Sequence, residues 1–366
     1  MAKTTKAQLN PYEKLSQTLN TIPNGFMTLE DGTHLRMLEW IYEPWEADLA
    51  SKLKLAGESL RRMARRLRMP RLDLAKKLAI MVSKGQVHIR HTRKGKKYGI
   101  LPFVIGLYEE QLHRMDSEFA QLFEDYVQKT RGDILFSSEP AIQRVVPVDR
   151  VIKTDLKVHT YNQAETLVSN AKSWGVRDCI CRKQQELIDN RCDYPMSICL
   201  TFSKRKNAYE DSHQTKPVSK TKALELLREA EEAGLVHTSM NIEKGQSYIC
   251  NCCTCCCGIL QGLVKYDQPN AFVKSDYVLS IEEESCSGCR KCIDRCQFNA
   301  LTITEKKCQV DEKCVGCGVC ALVCPQKAMY LEPRNKKDIS KPPRNIISWM
   351  IKRAFKRRVN PIKILF

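Results

Sequence analysis

The chain has 366 residues, 19 cysteines and a net charge of +18. That length predicts two or three domains with enough chain to bury cores. An apolar fraction of 43% excludes a disordered chain, and no apolar stretch reaches the ~18 residues of a spanning helix.

The charge is unevenly placed. Residues 51–100 hold sixteen Lys and Arg against two acids, and residues 334–366 hold eleven against one, so the rest of the chain is mildly acidic. Basic segments of this kind attract nucleic acid, anionic lipid or an acidic protein, and charge does not choose among these. The polar stretch Met1–Asn10 lacks the apolar core of a signal peptide. The expected location is cytoplasmic, where thiols stay reduced and clustered cysteines bind metal.

In chain order, residues 1–25 are expected to be a flexible leader, broken at Asn10-Pro11 and Pro23-Asn24-Gly25. Residues 26–105 predict helices followed by a hairpin: one around Leu35–Ile41, one over Glu58–Leu67, and one over Arg71–Lys84 with Leu74, Leu78, Met81 and Val82 on one stripe. This order matches a winged helix-turn-helix. In such a domain Arg71, Lys76, Lys77 and Lys84 meet phosphates or bases, and Lys94, Lys96 and Lys97 sit at the wing. Winged helices also bind proteins, so DNA is one expectation among two.

Residues 106–170 predict a helical connector, with one long amphipathic helix through Leu107, Leu112, Met115, Phe119, Leu122, Phe123 and Tyr126. A cysteine-rich domain follows over 171–272, with a helix between its two cysteine groups, from a cap at Ser219 to Gly234. The final segment, 334–366, is a basic tail. Its positions Ile347, Met350, Ile351, Ala354 and Phe355 form an amphipathic stripe, and with Trp349 it is suited to an anionic membrane surface through 344–359 or to an acidic partner.

Between these lies the strongest signal, a repeat over 273–333. Cys286-x2-Cys289-x2-Cys292-x3-Cys296 is followed by Cys314-x2-Cys317-x2-Cys320-x3-Cys324-Pro325. Three thiolates spaced by two residues wrap three corners of a cubane from one loop. The fourth lies about a helical turn further on and faces the other cubane. The expected ligands are Cys286, Cys289, Cys292 and Cys324 for cluster one, and Cys314, Cys317, Cys320 and Cys296 for cluster two. Zinc, the alternative, uses two C-x2-C pairs and needs no such doubled run. The segment resembles the bacterial two-cluster ferredoxin family over about 60 residues. That resemblance implies two 4Fe-4S clusters and one-electron chemistry. Gln297 stands where that family usually has proline, and Cys308 lies outside the motif as a structural or free thiol.

Ten more cysteines stand upstream, in Cys179-x-Cys181-Arg182, Cys192 and Cys199, then Cys250 and Cys252 to Cys257. They suffice for one or two further clusters, or for zinc. Cys255, Cys256 and Cys257 cannot all reach one small ion, so two destinations are expected. One set is read as Cys179, Cys181, Cys192 and Cys199, the other as Cys250, Cys253, Cys256 and Cys257. The stretch resembles a module of multidomain iron–sulfur proteins of anaerobic microbes, which implies cofactor binding. Arg177 and Arg182 are placed to raise a nearby cluster's potential.

The expected fold class is α+β and multidomain: a winged-helix-like N-terminal domain, a cysteine-rich middle and a ferredoxin-like C-terminal domain. The expected function is electron transfer through 4Fe-4S clusters to or from an oxidoreductase partner, at the inner face of the membrane if the tail engages lipid. The alternative is a redox-sensing DNA-binding regulator. No nucleotide, flavin or small-molecule site is legible, and the chain reads as an electron carrier rather than a stand-alone enzyme.

Overall fold

The computed structural model describes residues 10–153 and 159–360. The chain divides into two compact units, residues 1–134 with 350–366, and residues 135–349.

The first unit opens with a helix, α1 (Pro11–Asn20), inside the stretch expected to be a flexible leader. The Asn10 side chain accepts the Glu13 N–H at 2.8 Å, and the Glu13 carboxylate accepts the Asn10 N–H at 2.9 Å. Pro11 occupies the first helical position, where its missing N–H costs nothing. Leu15 and Leu19, one turn apart, are buried. Asn10-Pro11 is therefore a helix start and not a break.

Next come α2 (Thr33–Ile41), α3 (Pro44–Ala50), α4 (Leu60–Leu67) and α5 (Arg71–Ser83), then an antiparallel hairpin of β1 (His88–Thr92) and β2 (Gly95–Gly99). Leu74, Leu78 and Met81 form the buried stripe of α5. The expected long helix does not begin at 106. Residues 103–116 hold turns and a short 3-10 segment at Glu109–Gln111, and α6 (Ser117–Thr130) starts only where the Asp116 carboxylate accepts the Phe119 N–H at 2.9 Å. An acidic cap outweighs apolar spacing there, because it satisfies donors that a continuing helix would have bonded internally. Left-handed Arg131 closes α6.

A single helical turn, α7 (Asp133–Phe136), leads into the second unit. Its main sheet has seven strands: β3 (Gln143–Val145), β4 (Ser173–Asp178), β5 (Ser197–Ser203), β6 (Lys216–Val218), β7 (Val236–Met240), β8 (Tyr248–Cys252) and β9 (Phe272–Val273). The order is β6-β4-β5-β8-β7-β3-β9, antiparallel except for the β3–β9 pair. Two helices, α8 (Ala164–Ser169) and α10 (Lys220–Ala233), pack on one face. The core beneath them joins Val176, Ile198, Leu200, Phe202 and Ile249 to Leu226, Leu227 and Ala230. The helix expected between the cysteine groups is α10, capped by the Ser219 hydroxyl and closed by left-handed Gly234. Two short helices, α9 (Ile180–Leu187) and α11 (Gly258–Val264), each start directly after a cysteine, Cys179 and Cys257.

The remaining strands are β10 (Tyr277–Ile281) paired with β13 (Met329–Pro333), and the hairpin β11 (Leu301–Thr304) and β12 (Lys307–Val310). Between them lies α12 (Lys291–Arg295). A buried ion pair ties this part to the main sheet: Arg144 donates to Asp276 at 2.6 Å, and Tyr161 and Asn162 donate to the other carboxylate oxygen at 3.0 and 2.8 Å. With both Asp276 carboxylate oxygens hydrogen-bonded, burial of the pair is tolerated; removing either partner would strand the other charge.

The last helix is α13 (Ile346–Lys356). Trp349, in the second unit, is 1% exposed and donates to the Ala141 carbonyl at 3.0 Å. Arg353, in the first unit, is buried and donates to the Pro23 carbonyl at 2.9 Å. Of the stripe, Ala354 is buried, while Ile347 and Phe355 are exposed. Among the described residues no helix is long and apolar enough to cross a membrane.

Candidate metal centres

The two cysteine runs fold as matching loops. Each needs a glycine in the left-handed region: at Gly288 (φ +67°) a Cβ would collide with the Lys306 carbonyl, and at Gly316 (φ +68°) with the Tyr277 carbonyl. Cys286, Cys289 and Cys292 line a small cavity that Cys324, from the second run, also lines. Conversely, Cys296 of the first run lies within electrostatic reach of Cys317 and Cys320, as does Cys314. Burial pushes the Cys317 thiol up to about 12, with Cys314 and Cys296 adding to the effect, and raises the Cys320 thiol as well. Bare thiolates are costly here, and a bound cation would offset that cost. The chain thus brings the fourth cysteine of each run to the other run's thiols.

Cys308, read as lying outside the motif, lines the first cavity as well. Its sulfur is 3.6 Å from that of Cys292, and its N–H donates to the Cys286 sulfur at 3.5 Å. Its place on β12, with Gln309 turned outward, is the signal that would have found it.

The upstream thiols carried by strands share one face of the main sheet. In β5, Ile198, Leu200 and Phe202 point into the core under α10, which leaves Cys199 on the opposite face. In β8, Ile249 points into that core, which puts Cys250 and Cys252 on the Cys199 face. There the sulfurs form a closed ring of contacts: Cys179 to Cys199, Cys199 to Cys250, Cys250 to Cys252, Cys252 to Cys257, Cys257 to Cys181, and Cys181 to Cys179. Hydrogen bonds from Cys199 and Cys252 hold the Cys250 thiol down to about 6. Thr238 lies 3.4 Å from the Cys252 sulfur, and the Gln143 amide 4.0 Å from that of Cys250.

The other four thiols, Cys192, Cys253, Cys255 and Cys256, have sulfurs that all lie within 4.8 Å of one another. Cys253 and Cys256 belong to the core under α10, and Cys192 packs against it, as does Cys181 of the ring. Consecutive residues therefore split twice, Cys252 from Cys253 and Cys256 from Cys257. This grouping differs from the expected one. Cys192 does not join Cys179, Cys181 and Cys199; Cys253 and Cys256 do not join Cys250 and Cys257; and Cys252 and Cys255, left out by spacing, belong to the ring and the four-thiol set respectively. Alternation along Tyr248–Cys252 was the overlooked signal.

Arg182 sits between the two sets. It is 2% exposed and donates to the Pro195 carbonyl at 2.8 Å and the Asn251 carbonyl at 2.7 Å. Burial works against its charge, but Cys179, Cys253, Cys199 and Cys252 outweigh that and hold the guanidinium firmly protonated. Arg177 instead donates to the Gln214 side chain at 2.8 Å.

The basic residues expected to meet nucleic acid are partly engaged elsewhere. The Lys84 ammonium pairs with the fully buried Glu46 carboxylate at 2.7 Å, and Lys77 lies over the Trp45 ring at 4.2 Å. Arg71, Lys76, Lys94 and Lys96 are exposed, and Lys97 is half-buried. The exposed side of α5 also carries Leu72 and Ile80.

Residues 279–302 and 309–330 match the 4Fe-4S binding domain family. The chain is 42% identical over 59 residues to a subunit of the ion-translocating oxidoreductase complex of Methanosarcina acetivorans, covering 16% of this chain and 22% of that protein. It is 33% identical over 61 residues to the archaeal glutamate synthase (NADPH) of Archaeoglobus fulgidus, covering 16% of this chain and 12% of that protein. The chain thus spans less than a quarter of the length of these curated relatives. No solved structure matches it.

Proposed function

We propose, from the premise that residues 279–330 are a 4Fe-4S ferredoxin-type domain of electron transport, that the whole protein passes single electrons to or from an oxidoreductase partner. The observation that carries this reading is the exchange of fourth cysteines between two matching loops. Cluster one is assigned to Cys286, Cys289, Cys292 and Cys324, and cluster two to Cys314, Cys317, Cys320 and Cys296. The donor set fits: eight thiols in two groups, several of them buried, with backbone turns that only glycine relaxes into. Bound there, such clusters supply one-electron redox chemistry. The chain's own part is to hold the sulfurs, exclude water and keep the two sites adjacent.

The upstream cysteines are assigned to further metal binding. The four-thiol set has the compact spacing of a site for one tetrahedral ion. We read 26–105 as a winged-helix-like domain, 106–170 as a connector, 171–272 as the cysteine-rich domain and 334–366 as a tail. Because Lys77 and Lys84 are occupied and α5 exposes Leu72 and Ile80, this domain is assigned to protein contact. One relative's name places it in an ion-translocating oxidoreductase complex. By analogy the partner here is an oxidoreductase component, and the protein works peripherally at a membrane complex.

The test is anaerobic purification followed by reduction. The expected result is acid-labile sulfide of about eight per chain or more, and an electron paramagnetic resonance spectrum of two interacting 4Fe-4S clusters. Protein that holds zinc and no sulfide overturns the reading.

A further inference from the structure

We propose that the ring of Cys179, Cys181, Cys199, Cys250, Cys252 and Cys257 is a polynuclear iron–sulfur site, different in kind from the neighbouring four-thiol site. The proposal rests on the iron–sulfur reading above and adds to it a cofactor position that the doubled ferredoxin motif does not contain.

Spacing carries the argument. Around a single tetrahedral zinc or iron, thiolate sulfurs stand roughly 3.8 Å apart, as follows from metal–sulfur bonds of about 2.3 Å. A site for one ion therefore brings all its sulfurs into mutual contact. Among the described residues only Cys192, Cys253, Cys255 and Cys256 do so. The ring does not. Each of its sulfurs touches two neighbours, yet no three lie within 4.8 Å of one another. The eight ferredoxin cysteines likewise join no compact set, although unlike the ring their sulfurs do not touch one another. The ring is closed by neighbour contacts yet too wide for all its thiolates to share one ion, which suits thiolates on separate metals of one cluster.

Charge says that something cationic belongs there. Three of the ring cysteines are less than a tenth exposed and the other three half-buried. Six thiolates would face one guanidinium, and a buried charge excess of that size is not sustained without metal. Neutral thiols would remove the charge but leave six weak donors in a pocket with polar neighbours at Thr238 and Gln143. Arg182 adds an independent sign. Its Nε is buried and finds no acceptor among the described residues, although the other guanidinium nitrogens are well bonded. A sulfur-rich anionic cluster beside it would supply that acceptor.

A cubane takes four thiolates. The ring offers six, which leaves room for a cluster with extra thiolate ligands or for two spectators. Either case requires inorganic sulfide, which a single-ion site never binds.

The experiment counts sulfide. The full-length chain is reconstituted anaerobically with iron and sulfide, and iron, zinc and acid-labile sulfide are measured per chain, with native mass spectrometry on the same sample. The expected result is about 12 sulfides: about eight from the ferredoxin clusters and about four from the ring. Cys199→Ser combined with Cys250→Ser should lower sulfide by about a third and leave the ferredoxin resonance signals intact. Cys192→Ser combined with Cys255→Ser should release one metal ion and no sulfide. Wild-type protein with about eight sulfides and zinc in the ring overturns the proposal, whether or not the ring variant folds. So does loss of sulfide from the Cys192/Cys255 variant. Absence of the ferredoxin signals themselves would instead strike the reading on which the proposal rests.

Discussion

The Gln297 side-chain oxygen accepts a hydrogen bond from the Thr254 backbone N–H at 2.8 Å, and its amide nitrogen donates to the Gly234 carbonyl. Thr254 lies between Cys253 and Cys255 of the four-thiol set, and Gln297 directly follows Cys296. One side chain therefore joins the ferredoxin loops to the upstream thiols. The resembling ferredoxins usually have proline here, and proline can make neither bond.

Gln297→Pro should leave both ferredoxin clusters in place, since no ligand changes. It should cost about 1–2 kcal/mol through two lost hydrogen bonds and loosen the Cys253–Cys255 loop. Thermal unfolding gives the first effect. Release of metal from the four-thiol site to a chelator gives the second, and an unchanged release rate would show that the contact does not hold the loop.

Cys317→Ala should remove cluster two alone. Iron should fall by about four per chain, and the spin–spin interaction in the reduced resonance spectrum should vanish while the signal of cluster one remains. Retention of both signals would contradict the ligand assignment.

Gly316→Ala asks the second loop to carry a side chain at φ +68° against the Tyr277 carbonyl. The left-handed backbone alone costs about 1–3 kcal/mol, and the collision adds to it. The expected outcome is a lower melting temperature and less iron at cluster two. Gly245→Ala, also left-handed but facing open space, isolates the backbone contribution and should be milder.

Asp31 gives a pH dependence. A hydrogen bond from Lys129, followed by those from Thr33, holds its carboxyl below the usual carboxylate range. A lowered folded pKa means stability that is fully present above about pH 4 and lost as the pH falls further. Acid unfolding should therefore be less steep below about pH 4 in Asp31→Asn than in the wild type.

A gel shift should find only weak, salt-sensitive DNA binding, equal for oxidised and reduced protein. Lys84→Gln should leave it unchanged, because Lys84 is paired with Glu46. Tight binding that switches with redox state would restore the regulator reading.

The ferredoxin part was legible because its spacing encodes chemistry directly. The paired strands β10 and β13 flank the two cysteine loops. The upstream thiols were not legible by spacing, because sheet register sets their partners. Cys192 and Cys199 are seven residues apart, yet one lies against the α10 core and the other faces away from it. Alternation in β8 carried part of the answer, but only strand pairing between β5 and β8 brings Cys199 to Cys250. In the first unit two caps account for the differences: Asn10 resembles a break but starts α1, and Asp116 lies inside an apolar stripe yet starts α6.

Loading order follows from chain order. Every sulfur of the ring precedes Cys286, so a nascent chain exposes all six before the first ferredoxin loop is made. The ring closes only when β5 and β8 pair, and Cys252 and Cys257 then stand beside Cys253 and Cys256, which belong to a different destination. With metal bound at both proposed sites, folding has to sort neighbouring thiols to different destinations, so maturation would depend on strand pairing keeping pace with cofactor delivery.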